Sequence, residues 1–250
     1  MLPSILVAQN PNPKDSICFN NTIIDYSNDT SGNIYLSFKG GTITKLSPTL
    51  DSLYTYSPLK VGDTKLLDAG NGLYIFAFYD FFQEYVLTNR FLSSPTRTNL
   101  SDIPLDYIDI ATQSQDNNIW VMEASGFRLI KYNTILKRIE SETLLTTIIE
   151  NADNDFVYIK EFQNQVFLVD KNSGIYVFDN LGNFLRKVEA QTSKVNFYEN
   201  YMYYLEDTQL VKKELYTNKT IRTAFTNSAI GILLHKENSY TITRTCLYRK

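Results

Sequence analysis

The chain has little of what most catalytic and nucleic-acid signatures require. Its 250 residues include one His, one Trp, two Cys, ten Gly and seven Pro. The single imidazole, His235, has no nucleophile elbow to serve, and a lone His in that setting is more often structural than catalytic. Walker loops, dinucleotide glycine fingerprints and zinc-type Cys/His spacings are also absent, so no residue is assigned a catalytic role. A net charge of −3, with no stripe of Lys and Arg, offers no field for a phosphate backbone. Nucleic acid is therefore not an expected partner. No apolar run reaches 18 residues, which leaves no expected membrane span. Residues 1–9 lack the positive start and full apolar stretch of a secretory signal, although Leu2–Gln9 resembles the tail of one. The expectation is a secreted or periplasmic protein, with a cytoplasmic setting and a plain strand at 4–8 as the alternative.

Aromatic and β-forming residues are abundant. The chain holds 18 Tyr and 15 Phe in a composition that is 43% hydrophobic, and flat or β-branched side chains pack best on pleated surfaces. A short apolar strand centred on an aromatic recurs at Asn33-Ile34-Tyr35-Leu36, Gly72-Leu73-Tyr74-Ile75, Asn118-Ile119-Trp120-Val121, Gln165-Val166-Phe167-Leu168 and Tyr201-Met202-Tyr203-Tyr204. A weaker copy stands at Ser239-Tyr240-Thr241-Ile242. The central residues are separated by steps of 39, 46, 47, 36 and 38, the period of one four-stranded sheet per repeat. The fold class expected is all-β, a six-bladed β-propeller of four-stranded antiparallel blades.

The fourth unit reads most clearly, as strands Asp155–Lys160, Gln165–Asp170, Gly174–Phe178 and Phe184–Val188. The blades fall near 21–58, 59–100, 101–147, 148–190, 191–227 and 228–250, in a single domain. The sixth unit supplies only three strands before the chain ends. Residues 1–20 therefore form an expected closing segment, whose strand at Ser4–Ala8 or Ser16–Phe19 completes the last blade and removes its open edge. Cys18 and Cys246 have two readings. Buried free thiols are the default; if 16–19 supplies the closing strand, the two face each other and a disulfide staples the seam, which points to an oxidising compartment.

Ser31-Gly32-Asn33-Ile34-Tyr35-Leu36 and the run Asn172–Leu185 resemble the repeat phrases of NHL-type six-bladed propellers of the bacterial exported type. That resemblance implies the fold and a habit of binding on one face of the disc. Related lactonases of the senescence-marker type hold a divalent cation in the channel, but their ligands find no one-to-one match here.

Two sets of residues are candidates for binding. Asp25, Asp68, Asp109, Glu161, Glu199 and Glu237 stand at or just past the ends of the inner strands; gathered at one channel mouth they would recruit a cation. Asn151–Asp155 opens like a calcium loop but lacks its glycine and its closing acid. The second set is aromatic. Tyr79, Phe81 and Phe82 crowd the blade-two hairpin, and the long connection Leu92–Leu105 carries Arg97 to the same face, near Phe127 and Arg128. Exposed aromatics on a rigid frame mark contact sites. The preferred expectation is a monomeric, non-enzymatic binding or scaffolding propeller for a protein, peptide or glycan, with no cofactor. The alternative is a metal-dependent hydrolase or lactonase with a divalent cation at the channel mouth.

Overall fold

A computed structural model describes residues 15–149, 153–217, 219–225 and 228–250. Among these, six separate four-stranded antiparallel sheets account for all 24 strands, and the remaining regular structure is three single 3-10 turns. The closing strand is β1 (Ser16–Cys18). Blade one comprises β2 (Ile23–Asn28), β3 (Ile34–Phe38), β4 (Ile43–Leu46) and β5 (Ser52–Tyr56). Blade two holds β6 (Leu66–Asp68), β7 (Tyr74–Tyr79), β8 (Glu84–Asn89) and β9 (Thr96–Asn99). Blade three has β10 (Ile108–Gln113), β11 (Ile119–Glu123), β12 (Arg128–Asn133) and β13 (Arg138–Leu144). In blade four they are β14 (Phe156–Phe162), β15 (Gln165–Asp170), β16 (Gly174–Asp179) and β17 (Phe184–Val188). Blade five follows with β18 (Val195–Tyr198), β19 (Tyr201–Glu206), β20 (Gln209–Glu214) and β21 (Thr220–Ala224). Blade six contains β22 (Gly231–His235), β23 (Asn238–Ile242) and β24 (Cys246–Arg249), with β1 as its fourth strand. The six-bladed all-β expectation holds.

The sequence pattern follows from burial. Second strands lie between neighbouring blades, so both of their faces are covered and they read as continuous apolar runs. All five residues of β3 and of β11 are buried. Fourth strands form the rim, and every residue of β21 is exposed. The repeat phrases carry a specific turn. In Asp29-Thr-Ser-Gly-Asn33 the Asp29 carboxylate accepts the N–H groups of Ser31 and Asn33 and the Asn33 amide, each at 2.8–2.9 Å. Asp179-Asn-Leu-Gly-Asn183 repeats the same three bonds. Gly32 and Gly182 stand at φ +83° and +91°, where a Cβ would be strained.

Ring closure uses the 16–19 option; the other candidate, Ser4–Ala8, lies outside the described residues, as do Asn151 and Ala152. β1 pairs antiparallel with β24, setting Ser16 opposite Tyr248, Ile17 opposite Leu247 and Cys18 opposite Cys246. The two sulfurs form a disulfide spanning 228 residues of sequence, so neither cysteine is free. Leu247, Ile242, Tyr240 and Leu233 of blade six share one apolar cluster with Ile23, Ile34, Leu36 and Leu46 of blade one. The Tyr240 hydroxyl donates to the Pro48 carbonyl across the same boundary at 3.0 Å.

Cross-linking so long a loop restricts the unfolded chain, an effect typically worth about 2–4 kcal/mol. The Cys18→Ser/Cys246→Ser variant is expected to keep its sheet signature in circular dichroism and to lose stability of about that size in urea unfolding. The oxidised parent should run faster than the reduced one on a denaturing gel.

Candidate functional site

Antiparallel order fixes two faces. Turns from second to third strands and connections between blades leave on one, here the loop face. First-to-second and third-to-fourth turns leave on the other, here the channel face.

On the loop face the aromatic set divides. Phe81 is 85% exposed at the tip of the β7–β8 hairpin. Phe82 is half-buried, in edge contact with Phe81 at 5.2 Å, with the Lys60 ammonium 5.3 Å from its ring centre. Tyr79 is buried, correcting its expected exposure: it ends β7 facing blade one, and its hydroxyl donates to the Gly41 carbonyl. Arg97 is likewise engaged internally, pairing with Glu84 and donating to the Tyr56 hydroxyl at 2.9 Å, while Lys60 takes the other Glu84 oxygen at 3.1 Å. Phe127 packs on the core, 5.7 Å from Phe156. Arg128 forks onto Glu123 and reaches Glu142 at 3.0 Å, and this fork holds the Glu123 carboxyl below its ordinary range. These four side chains face the blades because acids and rings of adjacent strands take them. What the sequence reading missed is the segment before blade two. Leu59 and Val61 are 95% and 81% exposed, and Gly62 lies so close beneath Phe82 that a Cβ there would come within 2.5 Å of the ring. Leu59, Val61 and Phe81 thus each expose an apolar side chain on the loop face, the face that carries Lys60.

The six acids do not form a ring. Asp25 lies mid-strand, with Lys194 of blade five on one oxygen and the Leu67 N–H on the other at 2.7 Å. Asp68 accepts from Lys160 of blade four, from the Gly70 N–H at 2.7 Å and from the Thr112 hydroxyl at 3.1 Å. Glu161 accepts the Trp120 indole N–H at 2.8 Å and the Ser114 hydroxyl. Asp109 is half-buried near the start of β10; burial pushes its carboxyl up against the opposing pull of Lys65. Glu199 and Glu237 are exposed in the turns after β18 and β22. Among the described residues no three His, Cys, Asp or Glu side chains are placed to share a metal ion. The donor set does not fit a divalent cation, because ammonium groups already sit on two of the acids.

Both lysine bridges cross the channel. Lys194 also donates to the Tyr26 carbonyl and lies 4.5 and 5.0 Å from the rings of Tyr26 and Tyr158. Burial lowers its pKa, opposed by Asp25. Burial alone would raise Asp68, but Lys160, Gly70 and Thr112 outweigh it and hold the carboxyl below its ordinary 3.8. Tyr158 lines a cavity on each side of this belt, about 430 Å³ on the channel face and about 390 Å³ on the loop face. The channel is therefore divided at mid-height. His235, at the channel-face mouth, rests on Gly32, and burial lowers its pKa.

No family model matches the sequence, and no curated protein does. Solved structures do. A catalytically inactive virginiamycin B lyase from Staphylococcus aureus with quinupristin aligns at TM-score 0.66 and 10% identity over 94% of this chain and 97% of that one. The Cps50 (Swd1) β-propeller domain of Myceliophteria thermophila gives 0.66 and 9% over 95% and 98%. YCF48 bound to D1 peptide gives 0.58 and 11% over 97% and 98%. At such identities the likeness shows the propeller fold alone.

Because the folded Asp68 pKa is depressed, its contribution is complete above about 3.8 and is lost as pH falls through the lower folded value. Lys160→Met leaves that carboxylate buried and unpaired, at an expected cost of about 3–5 kcal/mol at pH 7. Urea unfolding of both proteins should show the difference shrinking as the pH falls below 3.8 and through the depressed folded value, where the wild-type carboxyl also becomes neutral.

Proposed function

We propose that the protein is a non-catalytic binding or scaffolding propeller that presents its loop face to a polypeptide partner. The observation that carries this reading is that Leu59, Val61 and Phe81 are all exposed on the loop face, with half-buried Phe82 against Phe81. Single exposed apolar residues are ordinary, whereas three on one face of a rigid frame beside charged side chains favour a contact site. Lys60 and Asp80, adjacent to them in sequence, supply that charge. Binding of a D1 peptide by YCF48, a structure of similar fold, is in keeping with this use of a propeller, as is the NHL-like phrasing of the repeats. The disulfide is compatible with export to an oxidising compartment, the setting in which such bonds persist.

The metal-dependent hydrolase reading has less support. It needs several of the six acids on one cation, while Asp25 and Asp68 are already neutralised by lysines from blades five and four.

Burying side chains of this size is worth about 2 kcal/mol each, so Leu59→Asp/Phe81→Asp should weaken partner binding by at least about a hundredfold. The immobilised protein is tested on host extract against this variant and against Ile135→Asp on the channel face, where Ile135 is 81% exposed. Capture should survive Ile135→Asp, fail with the double variant, and disappear when the extract is treated with protease. Equal capture by all three proteins contradicts the reading. Capture that withstands protease but not periodate would replace the polypeptide with a glycan. Thermal unfolding of the double variant should match the parent, since both side chains are solvated.

A further inference from the structure

The channel-face cavity contains a buried carboxylate that has no counter-ion among the described residues. Seven carboxylates are buried among the described residues: Asp25, Asp29, Asp68, Glu84, Glu123, Glu161 and Asp170. Five have a Lys or Arg within ion-pair distance. Asp170 has none, but backbone N–H groups and the Ser173 hydroxyl occupy both of its oxygens. Glu161 differs. It is 7% exposed, and every hydrogen bond it receives, from Ser114, Gln115 and Trp120, falls on Oε2. Among the described residues no donor falls on Oε1, and Glu161 lines the cavity of about 430 Å³. Gln113, in the same wall, leaves its amide oxygen buried without a donor among the described residues.

The rest of the lining indicates what would complete this set. Tyr158, Phe162, Phe197 and Tyr198 contribute rings to the cavity, with Phe162 and Phe197 stacked at 4.6 Å. Ring faces attract cations, and they do so best where water is excluded. Lys160 also lines the wall, but its ammonium is held by Asp68. Exposed Glu199 adds negative charge at the rim, and burial keeps His235 from opposing a cation at neutral pH. One carboxylate cannot satisfy a divalent metal, which takes six or more oxygen ligands. A single organic ammonium needs only that carboxylate and the ring faces.

We propose that this cavity binds a protonated alkylamine, with Glu161 as its counter-ion and the aromatic wall around its methylenes. The volume lies within the range of small-ligand sites, about 300–1,000 Å³, and accommodates either a free amine or a lysine side chain of a peptide. The site is on the face opposite the exposed apolar side chains, so the failure of one proposal leaves the other standing.

The chain's only Trp donates directly to Glu161, and its indole N–H therefore reports on the site. The resonance is followed by ¹⁵N NMR while the full protein is titrated with n-butylammonium, with a blocked Gly-Lys-Gly peptide, and with neutral 1-butanol. A saturable shift with either cation and none with butanol is expected. Glu161→Gln keeps an acceptor for Trp120 but should weaken cation binding at least tenfold, and Phe197→Leu should weaken it several-fold with the charge retained. A peptide affinity at least ten times that of butylammonium identifies a polypeptide lysine as the source, and the reverse order a free amine. No shift up to 50 mM cation, on the order of 10⁻² M and weaker than any specific site, overturns the proposal. So does an equal shift with butanol, a result that the wild-type protein alone can give.

Discussion

The fold depends on the first and last of the described strands meeting in one sheet. Blade six has three strands of its own, and without β1 its outer edge would stand open and the ring would be held on one side only. Pairing of β1 with β24, fixed by the Cys18–Cys246 bond, closes that edge. The consequence reaches the centre. Blade one is held against blade six by a shared apolar cluster, and this places Asp25 and Tyr26 where Lys194 of blade five can reach them past the intervening blade. Lys160 makes the equivalent reach from blade four to Asp68 of blade two.

Charges buried in this way are costly. An ion pair removed from water recovers its desolvation penalty only with good geometry and further hydrogen bonds. Asp25 and Asp68 meet that condition through backbone N–H groups and the Thr112 hydroxyl. Both bridges join blades that are not neighbours, so they tie the ring across the channel as the seam ties it around its circumference. Beside these fully compensated acids, Glu161 stands out for an oxygen without a donor among the described residues and not for its burial. The two proposed contact surfaces follow the same division: apolar side chains exposed on the loop face, and charge with rings enclosed on the channel face.

The fold was legible because the most buried strands carry the repeat. Tyr35, Phe167 and Trp120 are fully enclosed between blades, and the aromatic period survives wherever packing demands it. The closing strand could be narrowed to two options by counting, and Cys246 on the last strand gave one of them a partner. The sites were less legible. Acids recur after inner strands, but the lysines that neutralise two of them lie 169 and 92 residues away, a pairing no local pattern reveals. Arg128 was a different case: it stands directly opposite Glu123 across a short hairpin, and that cross-strand pairing could have been read from the spacing alone. Tyr79 failed as a contact residue because alternation along β7 turns it into the gap between blades. Leu59 and Val61 escaped notice because a connection without periodicity gives no signal of which side chains it leaves in water.

Native-state hydrogen exchange on the oxidised and reduced protein tests the dependence on closure most directly. If the seam governs the ring, reduction should selectively lower protection in β1, β22, β23 and β24 and in the adjoining β2, while blades three and four keep theirs. A uniform loss across all six blades, or no change at the seam, would contradict the account.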